Sequence, residues 1–176
     1  MKTLTKTLIL ALMCAGMVAC TSKEPAPEPT PEPVQERTPP PVETAPVLDP
    51  EDYSKPGNIS NPRSLLSRRV IYFDYDESTI KPEFREVLAA HAQFLSHNSN
   101  YSATLEGHAD ERGTREYNLA LGERRGNAVL GVLGAGGSSS SQLSVVSYGE
   151  ERPIANCSDE SCWGRNRRVE IVYPRH

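Results

Sequence analysis

Aromatic residues make up only 6% of this 176-residue chain, and none stands before Tyr53. A segment without them, and rich in proline, cannot bury enough apolar surface to offset the entropy of ordering itself. Positive charge is not in excess either: 19 Lys and Arg face 23 Asp and Glu, a net charge of −4. That balance argues against nucleic acid as the main partner, because phosphate binding needs a clustered cationic surface. Arginine clusters only in pairs, Arg124–Arg125 and Arg167–Arg168, which suit a small anionic group better than a polyanion. No apolar run reaches the length of a membrane-spanning helix. Serine is plentiful, but the Gly-x-Ser-x-Gly nucleophile elbow is missing. No second histidine lies at ligand spacing from His108, so neither a catalytic metal nor a cofactor is expected. These absences leave a binding protein as the expectation and an enzyme as the reading disfavoured.

What is present begins with Lys2 and Lys6 ahead of a short apolar run, Leu8 through Val18. The run is too short to span a bilayer and has the character of a secretory signal. It ends at Met17-Val18-Ala19-Cys20, which resembles the lipobox of bacterial lipoproteins, with Met17 in place of the usual Leu. The resemblance implies cleavage before Cys20, acylation of that cysteine, and a signal peptide over residues 1–19. Two or three acyl chains would hold the protein stably in the inner leaflet of the outer membrane, where one chain holds only marginally. Thr21, in place of an Asp, implies the outer rather than the inner membrane by the same family's sorting pattern. Of the four cysteines, cleavage removes Cys14 and acylation takes Cys20. Cys157 and Cys162 are then free to pair, as suits an oxidising compartment. A metal reading of that loop lacks a histidine to complete a zinc set.

Residues 21–62 hold 12 of the 15 prolines, which marks a disordered or polyproline II spacer. At about 3.1 Å per residue it would reach roughly 130 Å if fully extended. The expected organisation is an acylated tether over 20–67 and a folded domain over 68–176. In that domain Val70-Ile71-Tyr72-Phe73 reads as a strand, and Lys81-Pro82 opens a helix with proline in a tolerated first-turn position. Its buried stripe is Phe84, Val87, Leu88, His91, Phe94 and Leu95. A strand at 102–107, a helix at 115–133 and strands at 143–148 and 168–173 follow. The expected fold class is α/β, a β-α-β-α-β-β sandwich with two helices packed on a mixed sheet.

The second helix carries Asn118, Leu121 and Arg125, and seven residues of helix bring Asn118 and Arg125 to within about 20° of one another. Asp110 lies in the loop leading into it. An aspartate and an arginine facing one another across a pocket suit a zwitterion, although such a pair near a helix more often forms a solvated ion pair. Gly107-His108-Ala109-Asp110-Glu111-Arg112-Gly113-Thr114 followed by Asn118, Leu121 and Arg125 resembles the OmpA-like peptidoglycan-binding domain. Phe73-Asp74-Tyr75-Asp76, Tyr148-Gly149 and Asn166-Arg167-Arg168 extend the likeness to the branch of that family carried on lipoproteins. The resemblance implies a periplasmic domain that holds the diaminopimelate of the peptidoglycan stem peptide, with Asp110 on its ammonium and Arg125 on its carboxylate. Asn118 and Leu121 would line the pocket. Asp74 and Asp76, at the end of the first strand, would approach the ligand or cap the turn. A periplasmic propeller protein of the Tol system is the implied second partner, in a link between outer membrane and wall that serves division. Gly126 stands where the family commonly has alanine, at a helix cost of up to about 1 kcal/mol.

Overall fold

The computed structural model describes residues 49–174. The expected signal peptide, Cys20 and the expected tether as far as residue 48 lie outside them. Four strands form one sheet: β1 (Val70–Tyr72), β2 (Ala103–His108), β3 (Leu143–Gly149) and β4 (Arg168–Val172). Their spatial order is β1-β4-β2-β3. The last strand enters the middle and runs antiparallel to both neighbours, while β2 and β3 are parallel. The crossover from β2 to β3 therefore makes the parallel pair expected of a βαβ unit. β1 and β2 are joined by a helix but separated by β4.

Helix α1 (Arg85–His97) follows a 3-10 turn at Pro82–Phe84, and α2 (Arg115–Ala135) links β2 to β3. Val87, Leu88, Phe94 and Leu95 on α1 meet Leu105, Val129, Leu133 and Ile171 in a single buried core. His91 belongs to the same stripe and is fully buried. Its Nε2 lies 3.0 Å from the Arg68 carbonyl, to which it must donate, and its Nδ1 accepts from the Tyr173 hydroxyl at 2.9 Å. Both ring nitrogens are thereby satisfied in the neutral form, and burial lowers the pKa to about 4.

Three features depart from the sequence reading. The folded unit begins before residue 68: Leu66 is fully buried, and Asn58 donates to the carbonyls of Asp49 and Asp52. Arg69 reaches back to the Ile59 carbonyl at 2.6 Å, and Asn98 to that of Ser54 at 3.0 Å. Side chains thus satisfy the backbone of a proline-containing stretch that makes only 3-10 turns of its own. A third helix, α3 (Glu160–Asn166), stands between β3 and β4, capped by Asp159 accepting from the Ser161 N–H at 2.8 Å. The sandwich is therefore β-α-β-α-β-α-β. Finally, Gly126 is demanded by packing: a Cβ there would lie 2.5 Å from Cγ1 of Val145. With Gly122, whose Cβ would clash with Ser147 and the Gly107 backbone, it lets α2 lie close against β2 and β3.

Candidate functional site

The sequence places a cleft where the first turns after β1 and β2 meet the start of α2. It has a volume of about 230 Å³ and is lined by Tyr75, Asp76, Asp110, Arg112, Gly113, Tyr117, Asn118, Leu121 and Arg125. The loop after β2 is pinned by the Ala109 N–H to the Gly149 carbonyl at 2.8 Å. Gly113, at φ 109°, takes the left-handed turn that a side chain would resist. Thr114 then caps α2, its hydroxyl accepting from the Tyr117 N–H at 3.2 Å. Asn118, Leu121 and Arg125 consequently face the cleft from one side of the helix, all three buried.

Arg125 is wholly buried, yet no carboxylate pairs with it directly. Its Nε donates to the Glu77 carbonyl at 2.8 Å, Nη1 to that of His108 at 2.8 Å, and Nη2 to that of Asp74 at 3.0 Å. Three of the five guanidinium N–H groups are thus held by backbone, and one on each Nη is left over. Burial, and then the nearby Arg167, lowers its pKa to about 10, so it stays cationic at neutral pH. A buried cation with two unspent donors beside a cleft is a fork for a planar anion.

Asp110 sits 4% exposed with its carboxylate fully engaged. Oδ1 accepts from the backbone N–H of Arg112 at 3.1 Å and its Nε at 3.2 Å. Oδ2 accepts from Arg112 Nη2 at 2.7 Å and Arg167 Nη1 at 3.2 Å. Burial alone would raise this carboxyl, but the bonds from Arg112 and Arg167 outweigh it and hold the pKa below the ordinary value. Arg112 is itself clasped, its guanidinium 4.0 Å from the Tyr75 ring centroid and 4.1 Å from that of Trp163. The lining holds two carboxylates and two guanidiniums, whose formal charges cancel.

The remaining expected site residues divide. Asp76 lines the cleft in a left-handed conformation, φ 56°, and accepts from the Tyr117 hydroxyl. Asp74 does not line it: its carboxylate turns outward to Lys81 at 2.7 Å, and its contribution is the backbone carbonyl that holds Arg125. Asn118 donates to Glu150, so it braces the cleft wall against the turn after β3. Arg112, Tyr75, Tyr117, Trp163 and Arg167 are additions that spacing alone did not single out. Cys157 and Cys162 are joined, their Cα atoms 5.5 Å apart, at the entry to α3. Together with Asp159 they are the one cluster of three potential metal donors among the described residues, but sulfurs bonded to each other are not thiolate ligands.

Residues 72–167 match the OmpA family, more than half of the chain. The peptidoglycan-associated lipoprotein of Pseudomonas putida is 51% identical over 115 residues, covering 65% of this chain and 69% of that one. The protein of the same name from Pseudomonas aeruginosa is 50% identical over 115 residues, 65% of this chain and 68% of its own. The chain belongs to the OmpA family, in its branch of peptidoglycan-associated lipoproteins. A crystal structure of the Burkholderia pseudomallei member of that branch superposes with a TM-score of 0.66 at 38% identity, over 72% of this chain and all of that one. The C-terminal domain of Helicobacter pylori MotB, at 23% identity and a TM-score of 0.56, over 61% of this chain and 84% of its own, shares the fold. The matched span encloses every residue lining the cleft, and also Glu160, Trp163 and Arg167 around Arg112. Within the family, then, both the backbone-held Arg125 and the clasped Arg112 belong to the common domain rather than to an appendage.

Proposed function

We propose that this protein is an outer-membrane lipoprotein whose domain binds peptidoglycan non-covalently through the diaminopimelate of the stem peptide. It is a binding protein, not an enzyme. The observation that carries the reading is Arg125, buried, fixed by three backbone carbonyls and left with two donors beside a charge-balanced cleft. A zwitterionic end is matched on both sides: its carboxylate to Arg125, its ammonium to the acidic groups Asp110 and Asp76. In this reading Cys20 bears the lipid anchor, and the proline-rich segment up to residue 48 gives the domain reach from membrane to wall. No helix among the described residues is long and apolar enough to cross a membrane, and the anchor needs none. The periplasmic propeller protein of the Tol system is the proposed second partner, meeting a surface that overlaps the cleft. Alternation between the two would let the membrane be released from the wall and regripped as it constricts at division.

Sedimentation with purified sacculi tests the central part. The wild type pellets, whereas Asp110→Ala and Arg125→Ala stay in solution while circular dichroism shows an unchanged fold. Pelleting of either folded variant at wild-type levels contradicts the assignment. Mass spectrometry of the mature N-terminus tests the anchor, where an unmodified end at any residue other than Cys20 removes it.

A further inference from the structure

Asp110 presents a difficulty for any ligand that brings an ammonium. A carboxylate offers about four lone-pair positions, and the four bonds from Arg112 and Arg167 take all of them. Two of the four, one on each oxygen, belong to the Arg112 side chain. Arg167 cannot easily leave, because it is buried and also donates to the Phe73 carbonyl at 3.1 Å and to Glu160. Arg112 is different. Its side chain is 29% exposed, and its guanidinium bonds to the Asp110 side chain rather than to backbone. Its Nη2 already lies 3.9 Å from Oε2 of Glu160, an exposed carboxylate on α3. The rings of Tyr75 and Trp163 also hold the guanidinium, and that attraction does not depend on its bonds to Asp110.

We propose that Arg112 is an exchangeable internal cation: it occupies Asp110 in the free protein, swings toward Glu160 when the ligand's ammonium arrives, and sets the affinity for ligands that carry that ammonium. The inference rests on the peptidoglycan reading above and adds a step to it. One cation replaces another on the same carboxylate, so Asp110 stays paired throughout. An uncharged or anionic group gains nothing from the exchange, because it would have to expel Arg112 and leave Asp110 half-paired. The device thus discriminates between stem peptides that end in a free ammonium and those that do not. Its second resting place is on α3, the short helix whose entry is closed by the Cys157–Cys162 bond.

If the displaced position of Arg112 is held by about a tenth of free molecules, apparent affinity is reduced roughly tenfold by the need to reach it. Calorimetry with two soluble probes reads this: a diaminopimelate-containing stem peptide, and the same peptide with the terminal amino group replaced by hydrogen and the carboxylate kept. Arg112→Gln should bind the first about tenfold more tightly than wild type and the second no better. Glu160→Gln should weaken the first several-fold. Weaker binding of the first probe by Arg112→Gln overturns the proposal, since Arg112 would then be a holding contact. A measurement on the unaltered protein stands beside the variants: the Arg112 Nε–H resonance should shift on saturation with the first probe and stay put with the second. An unmoved resonance with the first probe bound places the ammonium elsewhere, Asp76 being the open alternative, and overturns the exchange even if the variants fail to fold. Failure of the wild type to bind either probe is a separate result, which removes the peptidoglycan reading itself.

Discussion

The two ends of the cleft are built from the same chemistry and held in opposite ways. At one end Arg125 is fully buried, and backbone carbonyls from the turn after β1 and the end of β2 fix its guanidinium. At the other, Arg112 is partly exposed and is held by a carboxylate and two aromatic rings, all side chains. Backbone carbonyls cannot rotate away without unfolding a turn, whereas side chains exchange partners by changing rotamer. The first end is therefore a fixture that sets where an anion goes. The second is a contact that a ligand can renegotiate.

The largest break in this comparison is at the fixture. Arg125→Ala removes the anion's partner and the bonds to three backbone carbonyls, and should cost about 2–5 kcal/mol of binding, measured by calorimetry with a stem peptide. Arg125→Lys should fall short as well, since a point charge cannot hold three carbonyls and still offer a fork. Binding by Arg125→Lys equal to wild type would show that the fork is not used.

Acid should loosen the fixture next. His108, whose carbonyl holds Arg125, is buried with neither ring nitrogen hydrogen-bonded, and burial followed by the charge of Arg168 lowers its pKa to about 4. His91 shares that value for want of solvent. The unfolded chain, with rings at 6.5, binds more protons between pH 6.5 and about 4, so stability falls as pH falls through that window. At most about 3 kcal/mol is lost per ring. Chemical denaturation at pH 7 and pH 4.5 reads the sum, and His91→Gln or His108→Gln should each flatten part of the slope. A pH-independent midpoint across that range contradicts it.

The disulfide should act on the exchangeable end alone. Reduction of Cys157–Cys162 opens a short loop worth at most about 3 kcal/mol, and it loosens the entry to α3, which carries Glu160 and Trp163. Binding of a probe lacking the ammonium should be unaffected by reduction, while discrimination in favour of the ammonium narrows. The smallest effect belongs to Arg124→Ala. That side chain is exposed, but its guanidinium lies 5.4 Å from the ring of Tyr117, a cleft residue, so a loss below about 1 kcal/mol is expected. A loss as large as that of Arg125→Ala would undo the distinction between neighbours on the helix.

Much of the fold was legible because its long elements carry clean periods. The α1 stripe from Val87 to Leu95, and the common face of Asn118, Leu121 and Arg125, follow from 3.6 residues per turn. Helix α3 was not, since seven residues are too few to show a period and its only local signal is the Asp159 cap. Residues 49–67 were merged into the tether because proline content masked a buried Leu66 and the capping work of Asn58. Gly126 looked like a defect in a helix, because sequence shows the cost of a glycine but not Val145 waiting above it. In the site, charge and spacing picked out Asp110 and Arg125. They could not show that Asp110 is already saturated, since Arg167 comes to it from more than fifty residues away.

The most direct test is a crystal structure of the protein with a diaminopimelate-containing stem peptide. The account predicts the terminal carboxylate about 2.8 Å from both Nη1 and Nη2 of Arg125, with its three backbone bonds unbroken. The ammonium should lie on Asp110, with Arg112 turned to Glu160. A ligand carboxylate bound away from Arg125 would contradict the central claim.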